Sequence, residues 1–204
     1  MSPETISPQT LSSGKHRTLR RVGLFALGLG ALGLGLAALF SLRPWGPEPR
    51  RLSEDQRRER IDRLYSEYRE SFPDVPSLSP EALTQRLESA TPPPILVDVR
   101  DEREQEISML PDALTTEAFE ELRRQQPQQV AAAEIVTYCT IGYRSGRYAE
   151  ELREQGLNAH NLAGSLLAWT HTGRPLEHRD APVYRLHVWS ERYDLAADAY
   201  TTTW

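Results

Sequence analysis

The sequence predicts an α/β domain with a parallel sheet covered by helices on both faces. Two short apolar runs carry this, Ile95-Leu96-Val97-Asp98-Val99 and Ala133-Glu134-Ile135-Val136-Thr137-Tyr138, each flanked by helix-forming stretches. Strands buried on both faces read as near-continuous apolar runs, and strands alternating with helices demand parallel crossovers. A third observation is the passage from Val136 to Gly146, in which a buried strand runs through a short loop into a helix. Ligands of open α/β sheets gather at such carboxyl ends of strands.

At 204 residues the chain has room for one ordinary domain with appendages and is too short for two of usual size. The formal net charge of −5 offers no basic field for a phosphate backbone, so nucleic acid is not an expected partner. Cysteine occurs once, at Cys139. No internal disulfide can form, and metal sites built from several thiolates are excluded.

Residues 1–21 form a basic tail with Lys15, Arg17, Arg20 and Arg21. The uncharged stretch Val22 to Leu42 is long enough as a helix to cross a hydrocarbon core of about 30 Å. It exceeds the usual ~7–15-residue apolar region of a cleaved signal, and no small-x-small site closes it. It therefore predicts one retained transmembrane helix and a single-pass membrane protein. Arginines follow the span as well (Arg43, Arg50, Arg51, Arg57, Arg58, Arg60), so charge leaves the orientation open. An unpaired thiol suits a reducing compartment, which places the domain on the cytoplasmic side.

Residues 43–77 read as a linker and a charged amphipathic helix. Pro44, Pro47 and Pro49 break the span, Ser53 and Gln56 form a capping box, and Ile61, Leu64, Tyr65 and Tyr68 recur at helical spacing over Glu54 to Ser71. This helix is expected to be a spacer, packed loosely on the domain. The domain itself spans 78–176. Ser79 caps a helix with Pro80 at its first position, and Pro92-Pro93-Pro94 stop it before the first strand. After the second apolar run come the Cys139 loop, a helix from about Gly146 to Gln155, and a short strand over Ala159 to Leu162. Residues 177–204, with Tyr184, Trp189, Tyr193, Tyr200 and Trp204, read as an aromatic tail that wraps back over the domain. A partner-binding patch is the other reading of those aromatics, and no protein partner can be named.

The chemistry concentrates in Cys139-Thr140-Ile141-Gly142-Tyr143-Arg144-Ser145. Free amides of a tight loop and the positive end of the following helix both favour an anion within the curve. A thiol placed there has its pKa lowered, which makes Cys139 a candidate nucleophile. Gly142 supplies a residue able to take a positive φ, Arg144 a permanent cation to clamp an oxyanion, and Ser145 a cap for the helix. A lone cysteine without such context is ordinarily an inert buried hydrophobe.

At this point the sequence resembles the rhodanese family. The resemblance covers about Leu78 to Leu176. It rests on Leu96-Val97-Asp98-Val99-Arg100, on Met109-Leu110-Pro111-Asp112-Ala113 where the family usually reads His-Ile-Pro-Gly-Ala, on Cys139 to Ser145, on Leu162-Ala163-Gly164 with Trp169, and on Gly173-Arg174-Pro175-Leu176. Met109 and Asp112 depart from the family pattern in a structural turn. The resemblance implies a rhodanese-like fold and a sulfurtransferase that needs no cofactor and no metal. Cys139 would accept a sulfane sulfur from a small donor (thiosulfate, a persulfide or a polysulfide) and pass the persulfide sulfur to a thiol or cyanide. The amides of Thr140 to Arg144 would cradle that sulfur, and Arg144 would touch an anionic donor.

Two other classes stand beside this reading. Cysteine phosphatases and arsenate reductases use a similar loop, but the phosphatase loop of this fold places one more residue between cysteine and arginine; here four residues separate Cys139 from Arg144. A non-catalytic binding or sensing module of the same fold is the other, although such relatives commonly lose the cysteine. Asp98 and Arg100 end a strand near the expected active face, either supporting the loop or forming a structural ion pair. None of His16, His160, His171, His178 and His187 has metal-ligand spacing to a second strong ligand.

Overall fold

The computed structural model describes residues 52–204. The basic tail and the predicted span Val22 to Leu42 lie outside them. Among the described residues no helix is long and apolar enough to cross a membrane.

The chain enters through α1 (Glu54–Arg69), where the Ser53 hydroxyl accepts from the Gln56 amide and the Gln56 side chain accepts from the Ser53 amide. After β1 (Ser77–Leu78), α2 (Pro80–Ser89) starts on the Ser79 cap and leads into β2 (Ile95–Asp98). A single-turn α3 (Glu102–Gln105) and β3 (Leu114–Thr115) follow, then α4 (Thr116–Gln125) and α5 (Pro127–Ala132). Next come β4 (Glu134–Tyr138), α6 (Tyr143–Glu154), β5 (Asn158–Leu162) and α7 (Ser165–Thr170). The last segment holds a hairpin of β6 (Leu176–His178) and β7 (Ala181–Val183), and a parallel pair of β8 (Arg185–His187) and β9 (Thr201–Thr203) around a 3₁₀ turn at Glu191–Tyr193.

Strands β1 to β5 form one sheet in the order β1-β5-β4-β2-β3 with every pairing parallel. Side chains alternate across a strand, so one run serves two cores. On one face Leu96, Val136, Tyr138 and Leu162 pack with Ile61, Leu83, Leu166 and Leu167. On the other, Val97, Ile135 and Ala159 pack with Phe72, Phe119, Val130, Ala149 and Leu152. Helices therefore cover both faces.

Two local expectations change, and two short strands are added. The helix α1 is no loose spacer, since Ile61, 1% exposed, and Leu64 belong to the first core and Tyr65 is buried; the domain therefore begins structurally before residue 78. The helix after the loop starts at Tyr143 rather than Gly146, because Gly142 turns the chain at φ 108° and lets helical geometry begin at once. The short strands β1 and β3 carry no periodicity and are defined only by pairing with β5 and β2. In the tail, Leu186, Val188, Leu195 and Tyr200 join the first core.

The register places the site. Val97 pairs with Thr137 and Asp98 with Tyr138, while Thr137 pairs with Asn161 on the other side. The carboxyl ends of β2, β4 and β5 thus open side by side. The turn at Met109 to Ala113 holds both departures. Asp112 takes φ 57°, the left-handed region that aspartate tolerates better than most residues, and Met109 bridges to Glu177 through two backbone bonds of 2.9 and 2.8 Å.

Candidate active site

Cys139 follows β4 directly and is 2% exposed. The Gly142 amide donates to its Sγ at 3.1 Å and the Ser145 hydroxyl reaches it at 3.5 Å. Burial pushes the Cys139 thiol up. The Ser145 hydroxyl, the charge of Arg144 and the amides of Ser145 and Gly142 outweigh it and hold the pKa below the ordinary thiol value. The thiolate is the nucleophilic form, and the loop favours it.

The loop is held from beneath by groups that sequence patterns did not single out. Asn161, fully buried at the end of β5, donates to the Gly142 carbonyl at 2.8 Å and accepts from Ser145 Oγ at 2.7 Å. Ser165 Oγ accepts from the Cys139 amide at 3.1 Å, and the amides of Leu166 and Leu167 donate to the carbonyls of Cys139 and Thr140 at 3.2 and 3.0 Å. The first turn of α7 therefore uses its free N–H groups to fix the loop. Tyr65 of α1 packs against Gly142, where an added Cβ would sit 2.6 Å from the ring. No run or period marks Asn161 or Ser165; only tertiary pairing reveals them.

The structure brings Cys139, Thr140, Ile141, Gly142, Tyr143, Arg144 and Ser145 together, in roles that differ from several expectations. Ser145 does not cap the helix; it lies inside the first turn of α6 and points at sulfur. Ile141 joins the apolar core and Tyr143 is 45% exposed at the rim. The Thr140 hydroxyl donates to Glu104 Oε1 at 3.1 Å. Arg144 does not stand free to clamp a donor. Its two terminal nitrogens meet Glu104 at 2.7 and 2.9 Å, and its guanidinium lies 5.2 Å from the Trp189 ring centroid. Glu104 is the functional neighbour most nearly legible, as the last residue of Asp101-Glu102-Arg103-Glu104, whose carboxylate accepts from the Asp101 amide at 3.2 Å in a capping box.

Asp98 and Arg100 do not touch the sulfur. Their side chains form a fully buried ion pair, with Arg100 Nη2 at 2.6 Å from Asp98 Oδ2 and at 2.5 Å from the Ser108 carbonyl. They brace the β2 end next to β4. Among the described residues, no group of three His, Cys, Asp or Glu side chains is arranged to hold a metal ion.

Above the loop lies a cleft of about 510 Å³. Cys139, Thr140 and Ile141 line it from the loop, while Tyr68, Trp189 and Tyr193 line it from α1 and the C-terminal segment. The Tyr68 and Tyr193 hydroxyls bond to each other at 3.1 Å, and that bond, with burial, pushes the Tyr68 pKa up to about 12. The two terminal segments are thereby joined across the mouth of the site.

A buried cysteine at the head of an amide-lined loop, on the carboxyl edge of a parallel sheet, marks a class of α/β domain. Residues 79–172 match the family model of the rhodanese-like domain, and this part of the chain is a rhodanese-like domain. The tRNA sulfurtransferase of Desulfurococcus amylolyticus is 35% identical over 112 residues, covering 52% of this chain and 21% of the relative. The chain thus spans about a fifth of the length of the curated relative it matches. Among solved structures, a rhodanese-like domain protein from Staphylococcus aureus is 26% identical with a TM-score of 0.43, covering 52% of this chain and 100% of that one. A thiosulfate sulfurtransferase from Pseudomonas aeruginosa is 18% identical with a TM-score of 0.47, covering 65% and 25%.

Proposed function

We propose that the chain is a membrane-anchored sulfurtransferase in which Cys139 carries sulfane sulfur as a persulfide. The single observation that carries this reading is the Cys139 sulfur held 3.1 Å from the Gly142 amide at the base of an open cleft. The thiolate attacks the sulfane sulfur of a donor, forming a new S–S bond while the donor's own bond to that sulfur breaks and its leaving group departs with the electron pair. With thiosulfate the leaving group is sulfite. The Cys139 persulfide then yields its outer sulfur to a thiolate or to cyanide, and in the cyanide case thiocyanate leaves and the Cys139 thiolate returns. No external oxidant or cofactor enters either step.

The loop amides suit both states, because the negative charge stays on sulfur within the same curve. The anchor is the apolar stretch of residues 22–42, with the domain on the cytoplasmic side; protease accessibility in sealed vesicles tests that placement. The reaction is tested by incubating the full chain with thiosulfate or a polysulfide and weighing the intact protein before and after cyanide. The expected result is gain of one or more sulfur atoms on the wild type, none on Cys139→Ser, and reversal by cyanide. If no donor loads Cys139, the sulfurtransferase reading is wrong; hydrolysis of an aryl phosphate would point instead to the phosphatase class.

A further inference from the structure

Four of the nine residues that line the cleft over Cys139 lie outside the matched domain. Tyr68 belongs to α1, and Trp189, Ser190 and Tyr193 belong to the C-terminal segment, whereas the domain match ends at residue 172. Within the loop itself, Tyr143 adds a further ring, set edge-on to Tyr68 at a centroid distance of 5.5 Å. Four aromatic rings therefore surround the approach to one sulfur. Two of them stay substantially open to solvent, Tyr143 at 45% and Trp189 at 59%, although burying such rings is worth more than exposing them.

Charge in the cleft is already spent. Arg144 is the one cation among the residues that line it. Its guanidinium is engaged on two nitrogens by Glu104, whose side chain is 4% exposed, and is covered on one face by Trp189. Arg192 stacks on Tyr193 and does not line the cleft. A dianion entering here meets a neutral pair, and a leaving sulfite would carry two negative charges into an aromatic enclosure. The volume of about 510 Å³ lies in the range of pockets that enclose organic ligands, about 300–1,000 Å³.

We infer that the site selects, as donor to Cys139, an organic persulfide with an apolar or aromatic carbon substituent and no charge beyond that of its sulfur, in preference to thiosulfate. This rests on the sulfurtransferase reading above. The carbon substituent lies among Tyr68, Trp189 and Tyr193 while the outer sulfur meets Cys139. In the transfer, the Cys139 thiolate bonds to the outer sulfur of R–S–SH and the S–S bond of the donor breaks. The thiolate R–S⁻ leaves with the electron pair, and the proton stays on the new Cys139 persulfide. Only one negative charge crosses the cleft, and no redox partner is needed.

The test measures second-order rate constants for sulfur loading of the full chain, by intact mass, with three probes: benzyl persulfide, inorganic tetrasulfide and thiosulfate. Benzyl persulfide is expected to load at least tenfold faster than thiosulfate. Trp189→Ala is expected to narrow that ratio by about threefold to tenfold, the worth of one aromatic contact, and Trp189→Phe to restore most of it. Trp204→Ala, on the surface away from the cleft, is expected to change neither rate. Thiosulfate loading as fast as benzyl persulfide, or a ratio that Trp189→Ala leaves unmoved, overturns the donor inference and leaves the sulfurtransferase standing. Loading by none of the three probes overturns the sulfurtransferase reading itself.

Discussion

Glu104 grips Arg144 on both terminal nitrogens, at 2.7 and 2.9 Å, and so decides how much positive charge the sulfur loop presents. Burial alone raises the Glu104 pKa, but the hydrogen bonds and charge of Arg144 reverse this and hold it below its ordinary value of 4.5. A carboxylate depressed in the folded state contributes stability at pH values above 4.5, and that contribution is lost as pH falls through the lower folded value. Glu104→Gln is therefore expected to lower stability at pH 7 by about 1–3 kcal/mol, the range for a charged hydrogen bond left incomplete. Urea unfolding at pH 7 measures the loss directly. The deficit relative to wild type is expected to shrink as the medium is acidified below pH 4.5. The same variant frees the guanidinium, so thiosulfate loading is expected to rise relative to benzyl persulfide.

The thiol itself titrates early. Because the Ser145 hydroxyl, the Arg144 charge and the loop amides outweigh burial, the rate of alkylation by iodoacetamide is expected to reach its plateau below the ordinary cysteine range. Ser145→Ala removes the hydroxyl and moves the midpoint upward. At pH 7 sulfur loading is expected to slow by about threefold to tenfold, which corresponds to one modest hydrogen bond to a charged atom. A midpoint that does not move would assign the stabilisation to the Arg144 charge and the backbone amides.

Much of this site could be read along the chain, and the rest could not, for a physical reason. The strand, loop and helix around Cys139 are contiguous, so periodicity and turn chemistry locate them. Asp98 and Arg100 were visible as a pair at a strand end, but whether they faced the sulfur or the interior depends on register between β2 and β4. Asn161, Ser165 and Glu104 act from three other elements; no local pattern distinguishes Asn161 or Ser165 from ordinary polar residues, and the capping box that marks Glu104 says nothing of its contact with Arg144. The aromatic tail was legible as something that folds back, while the fact that Trp189 covers Arg144 is purely tertiary. Helix α1 misled because its apolar stripe, Ile61, Leu64 and Tyr65, was visible at helical spacing while the completeness of its burial depends on tertiary packing.

Gly142 is constrained twice. Its φ of 108° suits only glycine, and a Cβ there would lie 2.6 and 2.7 Å from two atoms of the Tyr65 ring. Gly142→Ala is expected to cost about 1–3 kcal/mol through backbone strain and also to tilt the amide that faces Cys139. Sulfur loading is expected to fall more than stability does. A melting curve paired with the loading rate separates the two, since a purely steric defect at Tyr65 would lower the melting temperature without slowing transfer in the folded fraction.

The matched segment 79–172 is expected not to fold by itself. Removing residues before 79 takes Ile61, Leu64 and Leu78 from the first core, and ending at 172 removes Leu176, Leu186, Val188, Leu195 and Tyr200 from the same core. A buried aliphatic or aromatic side chain contributes about 1.5–3 kcal/mol, so eight such losses, about 12–24 kcal/mol, match or exceed the ~5–15 kcal/mol by which domains are stable. The polar ties go as well: Arg57 with Asp198, His171 with Glu54, and the Thr170 hydroxyl with the Ala197 amide at 3.0 Å all join a terminal segment to the domain or to the other terminal segment. Expression of 79–172 is expected to give a chain without a cooperative unfolding transition, whereas 52–204 unfolds as one unit. A sharp thermal transition in the short fragment, with Cys139 still loading sulfur, would show that the terminal segments serve only the cleft and not the fold.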